Sequence, residues 1–281
     1  MKRIASIQDV SCLGRCSQTV ALPVVSAMGV ECAILPTAVL STHTSFPDFR
    51  CMDLTDQLLP CARHWMAQGV HFDALYTGYL ASDRQVAVVL ELLELLREKD
   101  TLVFVDPAMA DHGRLYAGFG PEFPALMAQV VSRARITVPN ITEASLMTGL
   151  PYRETYDEAY IRDLLRGVAA LGAEKVVLTG VSLEKDAIGF ASYDSATGQF
   201  GHYFNRREPN AYHGTGDIFS ATAVAGIVRG MPLHDAFRLA ADFTLRCIQV
   251  TRTDPAAAWY GVEFERALPM LTERAAQWDD Q

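Results

Sequence analysis

Short apolar runs of strand length alternate with stretches of helical period along almost the whole chain, and this alternation narrows the fold more than any other feature. IASIQ (4–8), ECAILP (31–36), DALYTGY (73–79), TLVFVDP (101–107), ITVPN (136–140) and EKVVLTG (174–180) read as strands. Helical patterns lie between them. One covers 17–28 behind Ser17, with Pro23 inside it, and another covers 53–68, where Pro60 is expected to bend or divide it. The best defined covers 83–99, capped by Ser82, and two more (142–149 and 157–172) end at Gly149 and Gly172. AIGFASYD and GQFGHYF flank a turn at Ser195–Gly198 and read as a hairpin. Helices over 214–229 and 233–251 close the core, and a short one follows near the C-terminus. Repeated β-then-α units predict an α/β fold whose central sheet is mostly parallel, with helices on both faces. No linker, repeat or low-complexity segment divides residues 1–281, so a single domain is expected.

Sheets of this kind collect ligands beyond the carboxyl ends of their strands. That rule picks out Gln8 and Asp9 after the first run, Thr37 to Phe49 after the second, and Thr77, Gly78 and Tyr79 after the third. Asp106, Asn140 with Glu143, and Thr179 with Gly180 follow the later runs. The rim is polar, although each residue taken alone could be a cap or a turn.

The stretch HGTGDIFSA (213–221) sets two glycines and an aspartate where an apolar helix begins. Bare backbone at Gly214 and Gly216, free to take positive φ, lets a ligand approach the amides of a helix N-terminus, whose dipole favours phosphate or an oxyanion. Asp217 should repel such a ligand. As an ordinary helix cap it needs no further role. As a general base for a hydroxyl that attacks phosphate, it belongs beside the anion hole formed by Gly214, Thr215 and Gly216. Magnesium takes oxygen ligands and keeps several waters, so one or two carboxylates suffice. Asp106 and Glu143 are the candidates, acting through water. Asn140 either fixes the phosphate or metal shell, or caps the helix after Pro139.

Composition limits the partners. A net charge of −9 argues against a broad nucleic-acid footprint, so phosphate must be handled at a local site. Six cysteines at irregular spacings form no Cys-x-x-Cys pair and read as reduced thiols. MKRIASIQ is too short an apolar start for a signal peptide, and no apolar run spans a bilayer. A soluble, cytoplasmic protein without a membrane partner is expected.

SIQDVSCLG (6–14), PTAVLSTHTSF (36–46), TGY (77–79), VDPAMADHG (105–113), VPNITEASLMTG (138–149), VLTG (177–180) and GTGDIFSA (214–221) together resemble the pyridoxal (vitamin B6) kinases of the ribokinase superfamily. The resemblance covers roughly residues 3–250. GTGD is shared by the wider superfamily, while STHTSF with VDPxxxD points to the vitamin B6 branch. It implies a ribokinase-like three-layer α/β/α sandwich that phosphorylates the 5′-hydroxymethyl group of a B6 vitamer with ATP. Asp217 would be the base, and Asp106, Glu143 and Thr179 would serve ATP and Mg2+. Asp9, Thr44 and Ser45, with His43 and Tyr79, would line the vitamin pocket. A monovalent cation, typically K+, and a homodimer are further implications.

Two departures stand out. The family usually has serine where Asp9 stands, and Gly-Asn near Ser17-Gln18. Charge complementarity would let Asp9 pair with a protonated pyridine nitrogen or an aminomethyl group. His43 reads equally as a hydrogen-bonded loop residue, His213 as a packing residue, and Arg206 with Arg207 as a solvated pair. The alternatives are a related kinase for hydroxymethylpyrimidine, a sugar or a nucleoside, and a catalytically silent vitamin-binding protein. A nucleotide-binding oxidoreductase is disfavoured, because QDVSCLGRCS lacks the Gly-x-Gly-x-x-Gly fingerprint.

Overall fold

The computed structural model describes residues 1–210 and 212–279. In chain order the elements begin with β1 (Arg3–Leu13), α1 (Gln18–Ala27), β2 (Glu31–Thr42), β3 (Cys51–Asp53), α2 (Thr55–Ala67) and β4 (Ala74–Thr77). They continue with α3 (Asp83–Leu96), β5 (Leu102–Val105), β6 (Ala110–Asp111), β7 (Arg114–Leu115), α4 (Phe123–Val131), β8 (Ile136–Thr137) and α5 (Ile141–Thr148). The last are α6 (Glu158–Ala170), β9 (Lys175–Val181), β10 (Ala187–Asp194), β11 (Phe200–Arg206), α7 (Thr215–Val228), α8 (Leu233–Arg252) and α9 (Leu268–Asp279). The chain forms two compact units from separated stretches. Met1–Leu54, Phe72–Ala74 and Glu208–Gln281 make one; Thr55–His71 and Leu75–Arg207 make the other.

In the first unit β1 and β2 run parallel, and β3 returns antiparallel along β2. Ile4, Ala5 and Ile7 are fully buried in succession, the mark of a strand covered on both faces. The sequence ended the first strand at Gln8 and the second at Pro36; both run about five residues further. Val10, Ser11 and Leu13 pair with Val39, Leu40 and Thr42, past a register shift between Gln8 and Val10. Asp9 therefore lies within β1 rather than after it, and Thr37 to Thr42 are strand rather than loop. Asp9 in β1 and Pro36 in β2, residue types depleted in strands, hide this extension, which is held by the cross-strand pairing. Helix α7 is buried nearly all round, which its IFSATAVAGIV run anticipates.

In the second unit the strand order is β11-β10-β9-β8-β5-β4. β5, β8 and β9 are parallel neighbours, and the β10–β11 hairpin continues the sheet antiparallel. Ser82 caps α3 by accepting the Gln85 N–H at 3.3 Å, and Gly149 ends α5 at φ 73°. Pro60 does not divide α2. Two features were not legible in the sequence: α4, and the small β6–β7 hairpin. That hairpin turns on His112 and Gly113, both at positive φ, as a tight two-residue turn demands.

Candidate active site

In the first unit, the α7 N-terminus is built on one unusual residue. Gly214 takes φ 80° and caps the helix without any side-chain hydrogen bond. A Cβ there would stand 1.8 Å from the Arg15 carbonyl oxygen and 3.6 Å from the Cys16 Cα, so only glycine fits. Gly216 differs from the expectation of positive φ: it is an ordinary helical residue, and a Cβ on it would meet nothing within 4 Å. The amides of Thr215 and Gly216 lie in the first turn, where a helix has no carbonyl of its own to offer them. Amides that the helix itself does not satisfy suit a phosphoryl oxygen. Asp217, half-buried, occupies the same turn.

The β1–α1 loop leans on this helix end. Ser17 sits at the N-cap position of α1 but makes no capping bond; its backbone holds φ 50°, a conformation rare outside glycine. Its hydroxyl bonds Asp9 instead, alongside the Ser11 hydroxyl, which donates at 2.9 Å. The two departures from the family pattern thus touch each other. Burial raises the Asp9 carboxyl above its ordinary range, against the pull of Ser17, Ser11 and a backbone N–H. Between these groups, the Cys16 thiol is pushed up to about 12 by burial first, then by the charges of Asp217 and Asp9. Nothing in the sequence singled out Cys16 or Ser11, since both matter only through tertiary proximity.

The His43 loop belongs to the same unit. His43 Nδ1 accepts the Ser45 N–H at 3.2 Å, and Nε2 lies 3.0 Å from the Tyr260 carbonyl oxygen. An amide can only donate and a carbonyl only accept, so the ring is the neutral Nε2–H tautomer. Burial and the neighbouring His213 lower its pKa in the same sense, against the Tyr260 carbonyl. Both ring nitrogens are thereby engaged inside the protein. Phe46, His213 and Trp259 pack around the ring at centroid distances of 4.9, 5.1 and 5.9 Å. Ser45 Oγ is 3.3 Å from His213 Nε2, while Thr44 is exposed. Trp259 and Tyr260 escaped notice in the sequence because two aromatics in a short loop carry no periodic signal.

The second unit gathers the remaining candidates. Asn140 and Glu143 form a reciprocal capping box on α5. Asn140 Oδ1 accepts the Glu143 N–H at 2.9 Å, and its Nδ2 donates to the Ala110 carbonyl at 2.8 Å. Of the two roles open to Asn140, the cap is the one seen. Glu143 Oε2 accepts the Asn140 N–H at 2.8 Å and Oε1 accepts the Met109 N–H at 3.1 Å. Burial first, and the Asp106 carboxylate second, push Glu143 well above the usual carboxylate range, against its backbone donors. Asp106 follows β5, and its N–H donates to the Thr77 carbonyl at 3.0 Å. Thr179 lies within β9, where its N–H donates to the Pro139 carbonyl at 2.9 Å. Tyr79, half-buried, packs on Phe119 at 5.5 Å.

Among the described residues no group of three or more His, Cys, Asp or Glu side chains could hold a metal. Two buried, mutually repelling carboxylates are nonetheless the donor set of an ion that keeps most of its waters. With both oxygens on backbone amides, Glu143 would meet such an ion through water.

The chain matches the phosphomethylpyrimidine kinase family over residues 22–259. A Bacteroides thetaiotaomicron protein described as a phosphomethylpyrimidine kinase and crystallised with pyridoxal is 33% identical, with a TM-score of 0.91 over 96% of this chain and 95% of that one. Pyridoxal kinase from Lactobacillus plantarum is 32% identical, with a TM-score of 0.88 over 99% of each chain. The pyridoxine/pyridoxal/pyridoxamine kinase of Bordetella avium is 28% identical over 262 residues, 89% of this chain and 85% of its own. The fold class is the ribokinase-like α/β fold that these proteins share.

Proposed function

Because this chain belongs to the phosphomethylpyrimidine kinase family, we propose that it phosphorylates the 5′-hydroxymethyl group of a B6 vitamer with ATP, working as one kinase domain. The observation that carries this reading is the α7 N-terminus: an uncapped anion cradle behind Gly214, with Asp217 in the same turn. The vitamer hydroxyl oxygen bonds to the γ-phosphorus, the bond from phosphorus to the ADP oxygen breaks, and Asp217 takes the hydroxyl proton. The amides of Thr215 and Gly216 hold the charge that develops on the transferring group. Asp106, Asn140, Glu143 and Thr179 serve the nucleotide, with Asp106 and Glu143 holding Mg2+, which supplies charge neutralisation when bound. Asp9, Thr44, Ser45 and Tyr79 line the vitamin pocket, and His43 orders its loop. K+ as activating ion, a homodimer and a cytoplasmic location complete the reading, and six free thiols suit a reducing compartment.

A coupled ADP-release assay tests it, run over pyridoxal, pyridoxamine, pyridoxine and hydroxymethylpyrimidine, with and without K+. Turnover of at least one vitamer above hydroxymethylpyrimidine is expected, and faster with K+. The family name favours a pyrimidine substrate as the second reading, and turnover confined to hydroxymethylpyrimidine would establish it. Binding of vitamers without ADP release would leave a silent vitamin-binding protein.

Mg2+ can be read without turnover. A carboxyl whose folded pKa is raised contributes stability that is complete below its unfolded value and lost as pH rises through the folded one. Glu143 is such a group. In chelator, thermal stability should therefore fall as pH rises from the carboxylate range toward neutrality. Mg2+ should flatten that slope by pairing with Glu143 and Asp106. An identical slope with and without Mg2+ would remove both residues from the metal site.

A further inference from the structure

Asp9 is a buried carboxyl group, 3% exposed, with no countercharge among the described residues. Its contacts are the Ser11 and Ser17 hydroxyls and a backbone N–H, and no lysine, arginine or histidine pairs with it among the described residues. Removing an anion from water without a cation is costly, and serine donors return only part of the lost solvation. A site that leaves such a charge uncompensated is matched to a ligand that brings the cation.

Its position says which part of the ligand that is. The Ser17 hydroxyl bonds Asp9, Cys16 is the residue before Ser17, and Cys16 Cα packs against Gly214 at the head of the helix that carries Asp217. The Cys16 thiol senses both carboxylates. Asp9 and Asp217 thus serve one corner of the first unit. On a B6 ring the substituent next to the 5′-hydroxymethyl carbon is the one at C4, whereas the ring nitrogen is further away. The 3-hydroxyl, ionised when the ring nitrogen is protonated, would be repelled by Asp9.

Resting on the vitamer-kinase reading above, we infer that Asp9 faces the C4 substituent and ranks the vitamers, with pyridoxamine above pyridoxine and pyridoxine above pyridoxal. The aminomethyl ammonium of pyridoxamine supplies the missing positive charge. The hydroxymethyl of pyridoxine donates one neutral hydrogen bond. The formyl oxygen of pyridoxal offers only lone pairs, leaving Asp9 buried and unmatched.

The test is kcat/KM for the three vitamers in the wild-type enzyme, Asp9→Ser and Asp9→Asn, with melting curves to verify folding. Wild type should favour pyridoxamine over pyridoxal by roughly tenfold to a hundredfold, the scale of one charge-assisted hydrogen bond. In Asp9→Ser the ratio should contract to within about threefold, chiefly through a higher KM for pyridoxamine. Equal use of the vitamers by wild type, or a pyridoxamine preference that survives in Asp9→Ser, would overturn the assignment while leaving the kinase reading intact. If no vitamer were turned over, the kinase reading would fail on its own. Calorimetric binding of pyridoxamine and pyridoxal to wild type would then decide the role of Asp9. If the variants do not fold, the wild-type ranking alone decides.

Discussion

Asp217→Asn is expected to lower kcat by about a hundredfold or more, the scale of a positioned general base, while ATP affinity changes little. Asparagine keeps the size and hydrogen-bonding shape of the side chain but cannot take the hydroxyl proton. Asp217 also lies in the first turn of α7, where a negative charge is favoured by the helix dipole. The variant should therefore lose a few tenths of a kcal/mol in stability, separable from catalysis by a melting curve. A second readout comes from Cys16, whose thiol is raised partly by the Asp217 charge. With that charge removed, the thiol should titrate at lower pH. A variant with near-normal turnover would take the base role from Asp217, whatever the thiol did.

Substitution of the two glycines beside it should give stability effects of opposite sign. Gly214→Ala places a methyl 1.8 Å from the Arg15 carbonyl at φ 80°, and backbone on both sides leaves no flexible side chain to yield. A loss of about 3 kcal/mol is expected from strain plus displacement of the β1–α1 loop. In a chain of this size that corresponds to a fall in Tm of roughly 5 °C. Activity should fall with it, since the same loop carries Cys16 and Ser17. Gly216→Ala meets no atom within 4 Å and sits at helical φ, so it should fold normally and gain up to about 0.5 kcal/mol. Its methyl, however, projects into the space proposed for the phosphoryl group, and kcat should drop steeply. Full activity in Gly216→Ala would show that no ligand approaches that face of the helix end.

The divergence between these glycines shows where reading residues stops. Both look alike in GTGD, but only the carbonyl of Arg15, some two hundred positions earlier in the chain, makes one of them irreplaceable. Asn140 shows the reverse. Its spacing of three before Glu143 is a capping-box signature, and the structure contains that box. Ser17 lies between the two: it stands at the start of α1 as its residue type suggests, yet its hydroxyl turns away from the helix to Asp9.

Local chemistry was enough to specify the alternation of strands and helices, the caps at Ser82 and Asn140, and the helix that begins after Gly214. Each depends on contacts within a few residues, which apolar period and side-chain type encode directly. The extension of β1 through Asp9, the burial of that carboxylate without a cation, the neutral tautomer of His43 and the pressure of Arg15 on Gly214 all needed the folded chain. They arise from groups far apart in sequence, and the energy of such contacts depends on distance and dielectric, which no residue carries by itself.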